Sequence, residues 1–195
     1  MNKIVKILIV VFVLAGLTVP VFAQDNIELP GVNNEGNNPG MAVNIDFGYT
    51  FGALLAGGFG LGGGFEFAVT DLIAVKIRGG FLSINYLGYG FTAIDVAGTA
   101  RFYFLNTGLN GPFAGAGAGV YVFMSDSVYY GTGGTALWPL IMIEGGYKFT
   151  LMNDGSSGFF VEPILGFSYV FSTLGAIAVG GVGGFSFGAN IGWSF

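Results

Sequence analysis

The sequence predicts an all-β protein: an antiparallel, up-and-down transmembrane β-barrel of eight strands. Three observations point there. Hydrophobic residues make up 53% of the chain and charged residues 9%, whereas a soluble domain carries about 25% charged. From residue 41 onward, apolar residues alternate with small or polar ones, the period of a strand with one apolar and one polar face. The formal charges within these stretches all fall on the polar parity.

The chain opens with a basic "MNKIVK", an apolar "ILIVVFVLAGLTVPV" and a small-residue "VFA" with Val21 and Ala23 at the key positions. That is the pattern of a secretory signal peptide spanning 1–23 and cleaved between Ala23 and Gln24. The apolar run is short and a polar segment follows at once, which argues against a retained membrane helix. Residues 24–40, "QDNIELPGVNNEGNNPG", read as a flexible periplasmic lead-in. The barrel is expected over 41–195.

The first strand is expected over "MAVNIDFGYTFG", 41–52, with Val43, Ile45, Phe47, Tyr49 and Phe51 outward. The second, 58–68, sets Phe59, Leu61, Phe65 and Phe67 against glycines and Glu66, and "VTD" at 69–71 makes a tight turn. The third, 72–83, opposes Ile73, Val75, Ile77 and Phe81 to Ala74, Lys76, Arg78 and Gly80. The fourth, 90–104, opposes Ile94, Val96, Ala100, Phe102 and Phe104 to Asp95, Thr99, Arg101 and Tyr103. In the fifth, 112–124, the run "AGAGAGVYV" shows the period but not which side faces out. The sixth, 136–149, sets Ile141, Ile143, Tyr147 and Phe149 against Glu144, Gly146 and Lys148. The seventh, 158–171, sets Phe159, Val161, Leu165, Phe167, Tyr169 and Phe171 against Glu162, Gly166 and Ser168. The eighth, 182–195, carries Phe185, Phe187, Ala189, Ile191, Trp193 and Phe195 outward. Each is long enough to cross a bilayer, which takes about 9–11 tilted residues, and eight is an even count, as single-chain bacterial barrels require.

After the signal, four basic residues face eleven acidic ones, a formal net charge of −7. Asp25, Glu28 and Glu35 lie in the lead-in, and Asp71, Asp126 and Asp154 in connections. The other nine charges are Asp46, Glu66, Lys76, Arg78, Asp95, Arg101, Glu144, Lys148 and Glu162, all on polar parity. A Lys or Arg facing lipid at the midplane costs about 2–4 kcal/mol, so inward placement is the physical expectation. A helical inner-membrane protein fits less well. The charge-free stretch Pro163–Phe195 is broken at "STLG" and "GGVGG", and its aromatics recur by twos.

The chain contains no cysteine and no histidine. That removes disulfides, thiolate metal sites and the commonest general base. No catalytic, cofactor-binding or metal-binding residues are expected, and the chain is not expected to be an enzyme. The acidic balance argues against nucleic acid as a partner. "GFGLGG" at 58–63 fits G-x-G-x-x-G literally, but a dinucleotide site needs that turn between a strand and a helix, and here alternation continues into "GFEF".

The signal peptide, the eight alternating strands and the terminal "GANIGWSF" together resemble the small eight-stranded outer-membrane barrels of the outer membrane protein A and X type. The resemblance spans 41–195. In that family the last strand ends on an aromatic preceded by alternating apolar residues, a mark read by the barrel assembly machinery. Phe187, Ala189, Ile191, Trp193 and Phe195 match it. Members tethered to peptidoglycan carry a periplasmic domain after the barrel; with the last strand ending at Phe195, such a tether is not expected here. The resemblance implies a location in the bacterial outer membrane, with its lipids and the assembly machinery as partners.

Eight strands leave an interior that side chains fill, so an open porin is not expected. Four acids (Asp46, Glu66, Glu144 and Glu162) balance four bases (Lys76, Arg78, Arg101 and Lys148) in a charge-compensated plug. All cluster toward the periplasmic end, Arg78 and Glu144 a little higher and Asp95 highest. Tyr49, Phe102, Phe104, Tyr147, Phe149, Trp193 and Phe195 form an interfacial girdle. The outer loops fall at 53–57, 84–89, 125–135 and 172–181, and carry Leu54, Leu55, Tyr86, Tyr89, Tyr129, Tyr130 and Leu174. The expected role is structural, supporting membrane integrity, with surface interaction through these loops. A narrow, porin-like ion or solute conduit is the alternative, and a lipid-modifying enzyme ranks third.

Overall fold

In the computed structural model, residues 40–86, 89–105, 109–125, 134–151, 157–174 and 177–195 are described. The signal peptide with Ala23 and Gln24, the lead-in up to residue 39, and Asp126, Tyr129, Tyr130 and Asp154 lie outside them. Eight strands form one closed antiparallel barrel in sequence order. They are β1 (Met41–Asp46), β2 (Gly58–Ala68), β3 (Ile73–Tyr86), β4 (Tyr89–Tyr103), β5 (Gly111–Ser125), β6 (Gly134–Thr150), β7 (Gly158–Leu174) and β8 (Ile177–Ser194).

Closure joins β1 to β8 from Ala42↔Ser194 to Asp46↔Asn190. Beyond this register, the Phe195 amide donates to the Met41 carbonyl at 2.7 Å and the Gly40 amide to the Phe195 carbonyl at 2.7 Å. The barrel end carrying these residues is called the near end below. The 69–73 turn closes through the Thr70 hydroxyl, which accepts from the amides of Leu72 and Ile73.

The expected parity holds around the ring. Phe59, Leu61, Ile77, Val96, Ile141, Ile143 and Leu165 are exposed, while Glu66, Lys76, Arg101, Lys148 and Glu162 are buried. The ambiguous β5 resolves with Phe113 buried inward and Ala114, Ala116 and Ala118 exposed. Strands β3, β7 and β8 run longer than expected, so the 84–89 and 172–181 loops shrink to the short spans between Tyr86 and Tyr89 and between Leu174 and Ile177.

The first strand departs from expectation. β1 stops at Asp46, and Phe47–Leu55 form a helix, α1, in place of a strand to residue 52 and a loop at 53–57. Local chemistry accounts for it. The Asp46 carboxylate accepts the Tyr49 amide at 2.9 Å, the geometry of an acidic N-cap satisfying an orphan donor of the first turn. At the other end Gly57 adopts φ 74° and its amide donates to the Leu54 carbonyl at 3.0 Å, a left-handed glycine stop. Among the described residues no helix is long and apolar enough to cross a membrane, a test that does not bear on strands.

Candidate functional site: the charged lumen

The near half of the lumen is filled by ionic side chains. Glu66 comes from β2, Lys76 from β3, Arg101 from β4, Glu144 and Lys148 from β6, and Glu162 from β7. Arg101 is the hub. Its Nε donates to Glu144 at 2.7 Å, and its Nη1 reaches Glu66 at 3.2 Å and Glu162 at 3.0 Å. Lys76 pairs with Glu162 at 3.0 Å, while Lys148 pairs with Glu66 and, at 3.4 Å, with Glu162.

These pairs cross the barrel. In a ring of eight strands β3 faces β7 and β2 faces β6, so Lys76–Glu162 and Glu66–Lys148 join opposite walls. Arg101 is 1% exposed, and Lys148 and Glu162 are 0% exposed. Charges so buried are tolerable only when paired and hydrogen-bonded; each charge here is paired, while the Nη2 of Arg101 has no hydrogen-bond partner among the described residues. Three carboxylates meet three cations here, which leaves the cluster formally neutral.

Uncharged neighbours complete it. The Tyr103 hydroxyl donates to Glu66 at 2.8 Å, and the Asn190 amide nitrogen donates to Glu162 at 2.8 Å. Phe113 underlies the Arg101 guanidinium, with Cζ 4.1 Å from its ring centroid, and the Lys148 ammonium lies 4.6 Å from that of Phe160. Every strand from β2 to β8 therefore contributes a side chain. Tyr103 and Asn190 carried a sequence signal, since both sit on polar parity. Phe113 carried none, because the small residues that follow it left β5 without a distinguishable face.

The far half is different. Asp46, Arg78 and Asp95 lie outside the ion-pair cluster, whereas Glu144 joins it, so the expected plug of four acids and four bases is a set of three and three. Asp95 instead accepts the Tyr49 hydroxyl at 2.7 Å. Tyr49 therefore points into the lumen from α1, and its expected place in the outer girdle is wrong. The other girdle positions Phe102, Phe104, Tyr147, Phe149 and Trp193 are exposed on the outward face, and Phe195 is half-buried. The Nε of Arg78 is buried without a hydrogen-bond partner among the described residues.

A cavity of about 220 Å³ lies here, lined among others by Asp46, Tyr49, Arg78, Tyr121, Met142 and Asn190. A second, of about 30 Å³, adjoins Lys76, Arg78 and Asp95. Farther up, Phe91, Phe123 and Trp138 stack on the luminal parity, with centroids 5.5 and 5.2 Å apart.

Among the described residues no set of three or more acidic side chains is placed to hold a metal ion. The "GFGLGG" stretch is β2 strand throughout and precedes another strand, not a helix. Its glycines have a packing use. A Cβ at Gly62 would come within 3.2 Å of the Tyr49 side chain, and one at Gly60 within 2.7 Å of the Ala53 Cβ. Comparison of the chain with known protein families, characterised proteins and solved structures finds no match.

Proposed function

We propose that this chain is an outer-membrane barrel of a double-membraned bacterium, with a structural role in envelope integrity. The observation that carries the reading is the ionic cluster, which ties opposite walls together and fills the near end of the lumen. A chain built to pass solute has no use for six interlocked charges across its path. A chain built to persist as a stiff, sealed cylinder does. The outward band of Phe, Ile, Leu and Val suits a hydrocarbon environment, and closure leaves no strand end-to-end unpaired at the near end.

In this reading the signal peptide directs export, and the outward Phe187, Ala189, Ile191, Trp193 and Phe195 present the pattern that the assembly machinery reads. The far-end turns and α1 are the parts available for surface contact. The conduit alternative has the 220 Å³ chamber in its favour, but that chamber is closed below by the cluster.

Removing the gene should sensitise cells to detergent and to large antibiotics, and wild-type protein supplied in trans should restore resistance. An unchanged envelope phenotype, or recovery of the protein in the soluble or inner-membrane fraction, would overturn the proposal.

A further inference from the structure

The barrel wall is incomplete beyond Asp46. β8 continues from Asn190 back to Ile177, but on its β1 side it has no strand partner there among the described residues. β2 is likewise unpaired on that side from Gly58 to Leu61. Among the described residues α1 alone stands between them, packed on β2 and touching β8. Phe185 and Phe187 on this edge are 84% and 82% exposed, the highest values among the exposed large apolar side chains.

Extending the observed registers by a few residues gives a consistent strand. Phe47 would stand beside Ala189 and Leu61, Tyr49 beside Phe187 and Phe59, and Phe51 beside Phe185. All of these are outward positions. Gly48 and Thr50 would stand inward beside Gly188 with Gly60, and Ser186 with Gly58. Apolar residues of β8 and β2 flank the aromatics outside, and small meets small inside, which is the condition for a defined register. The same residues also satisfy a helix, through the Asp46 cap and the Gly57 stop.

We infer that residues 47–57 are a two-state section of wall. In one state they form α1, with Tyr49 held in the lumen by Asp95. In the other they extend β1, occupy the free β8 edge and withdraw Tyr49 to the outer surface. The occupant of that edge is this chain itself, because its alternation matches the edge position by position. The inference stands on register alone and does not depend on the proposed envelope role. In the helical state the 220 Å³ chamber, which Ser186, Phe187 and Gly188 help to line, adjoins the unpaired stretch of β8.

The natural chain has no cysteine, so paired cysteines report cleanly. Five residues beyond Asp46 rise about 16 Å as a strand but about 7.5 Å as a helix. Phe51→Cys with Phe185→Cys therefore comes into disulfide range, a Cα separation of about 4.4–6.8 Å, when the strand forms. Ala53→Cys with Gly60→Cys reports the helix and leaves the Tyr49–Asp95 bond in place, since a Cβ at Gly60 lies 2.7 Å from the Ala53 Cβ. Under mild oxidation of the folded full chain both pairs should link. Adding Tyr49→Phe to the first pair, which removes the bond to Asp95, should raise its linked fraction several-fold. The inference is overturned if Phe51/Phe185 stays reduced in both backgrounds while Ala53/Gly60 links. It is equally overturned if the Phe51→Cys/Phe185→Cys chain forms intermolecular disulfide dimers in preference to the intramolecular link, because the edge would then belong to a second copy.

Discussion

The near and far halves of this barrel solve the same problem in opposite ways. In the near half, β1 and β8 close the ring and the lumen is packed with charges that answer one another across its width. In the far half, β8 outruns β1, a helix stands in for a strand, and Arg78 stands outside the ion-pair cluster. The contrast teaches that closure of the ladder and charge compensation coincide. The six-charge cluster ends roughly where β1 ends, with Asn190 serving both as the last β1 partner and as a ligand of Glu162.

The most damaging way to break the near half is to remove one hub carboxylate. Glu162 accepts from Lys76, Arg101 and Asn190 and is 0% exposed. Glu162→Ala leaves buried cations unanswered and should cost about 3–5 kcal/mol, measured as a lower urea midpoint for unfolding from lipid vesicles. Asp95→Ala in the far half should cost markedly less, since Asp95 meets a tyrosine hydroxyl and no cation in an ion pair. Equal losses would erase the distinction between the halves.

Tyr103→Phe comes next. It keeps the ring but withdraws the hydroxyl from Glu66. Hydrogen bonds to charged groups contribute about 1.5–3 kcal/mol, so the same unfolding assay should register a loss in that range.

Glycine substitutions sharpen the comparison along β8 itself. A Cβ at Gly192 would meet the Val43 carbonyl at 2.0 Å and the Phe160 ring at 2.7 Å, whereas one at Gly184 meets nothing within 4 Å. Gly192→Ala should lower stability by about 1–3 kcal/mol, and Gly184→Ala by less than about 0.5 kcal/mol. Similar effects at both sites would mean that the far half of β8 is packed as tightly as the near half.

Much of the near half was legible before any coordinates. Period-two alternation fixes which face each residue takes, and a buried charge must find an opposite charge, so Glu66, Lys76, Arg101, Glu144, Lys148 and Glu162 could be assigned to one lumen. Their heights could not, because strand stagger shifts neighbouring strands by amounts that parity does not record. That is why Asp46 is expected level with the cluster but lies outside it, and why Arg78 and Glu144, expected at one height, part company, Glu144 joining the cluster and Arg78 not. The far half misled for a different reason. "MAVNIDFGYTFG" carries a sound strand pattern through Phe51, while the competing signals, an Asp cap and a Gly stop, are local and short. The helix formed where those local bonds outweighed a pattern that β8 still matches.

The central claim is that the cluster seals the lumen. Its most direct test is single-channel recording on the refolded wild-type barrel in a planar bilayer. A sealed lumen gives no steady conductance at ordinary salt and voltage, and Arg101→Ala, which frees Glu66, Glu144 and Glu162 from their shared hub, should introduce small, discrete openings. A steady, ohmic conductance in the wild-type protein that Arg101→Ala leaves unchanged would contradict the account.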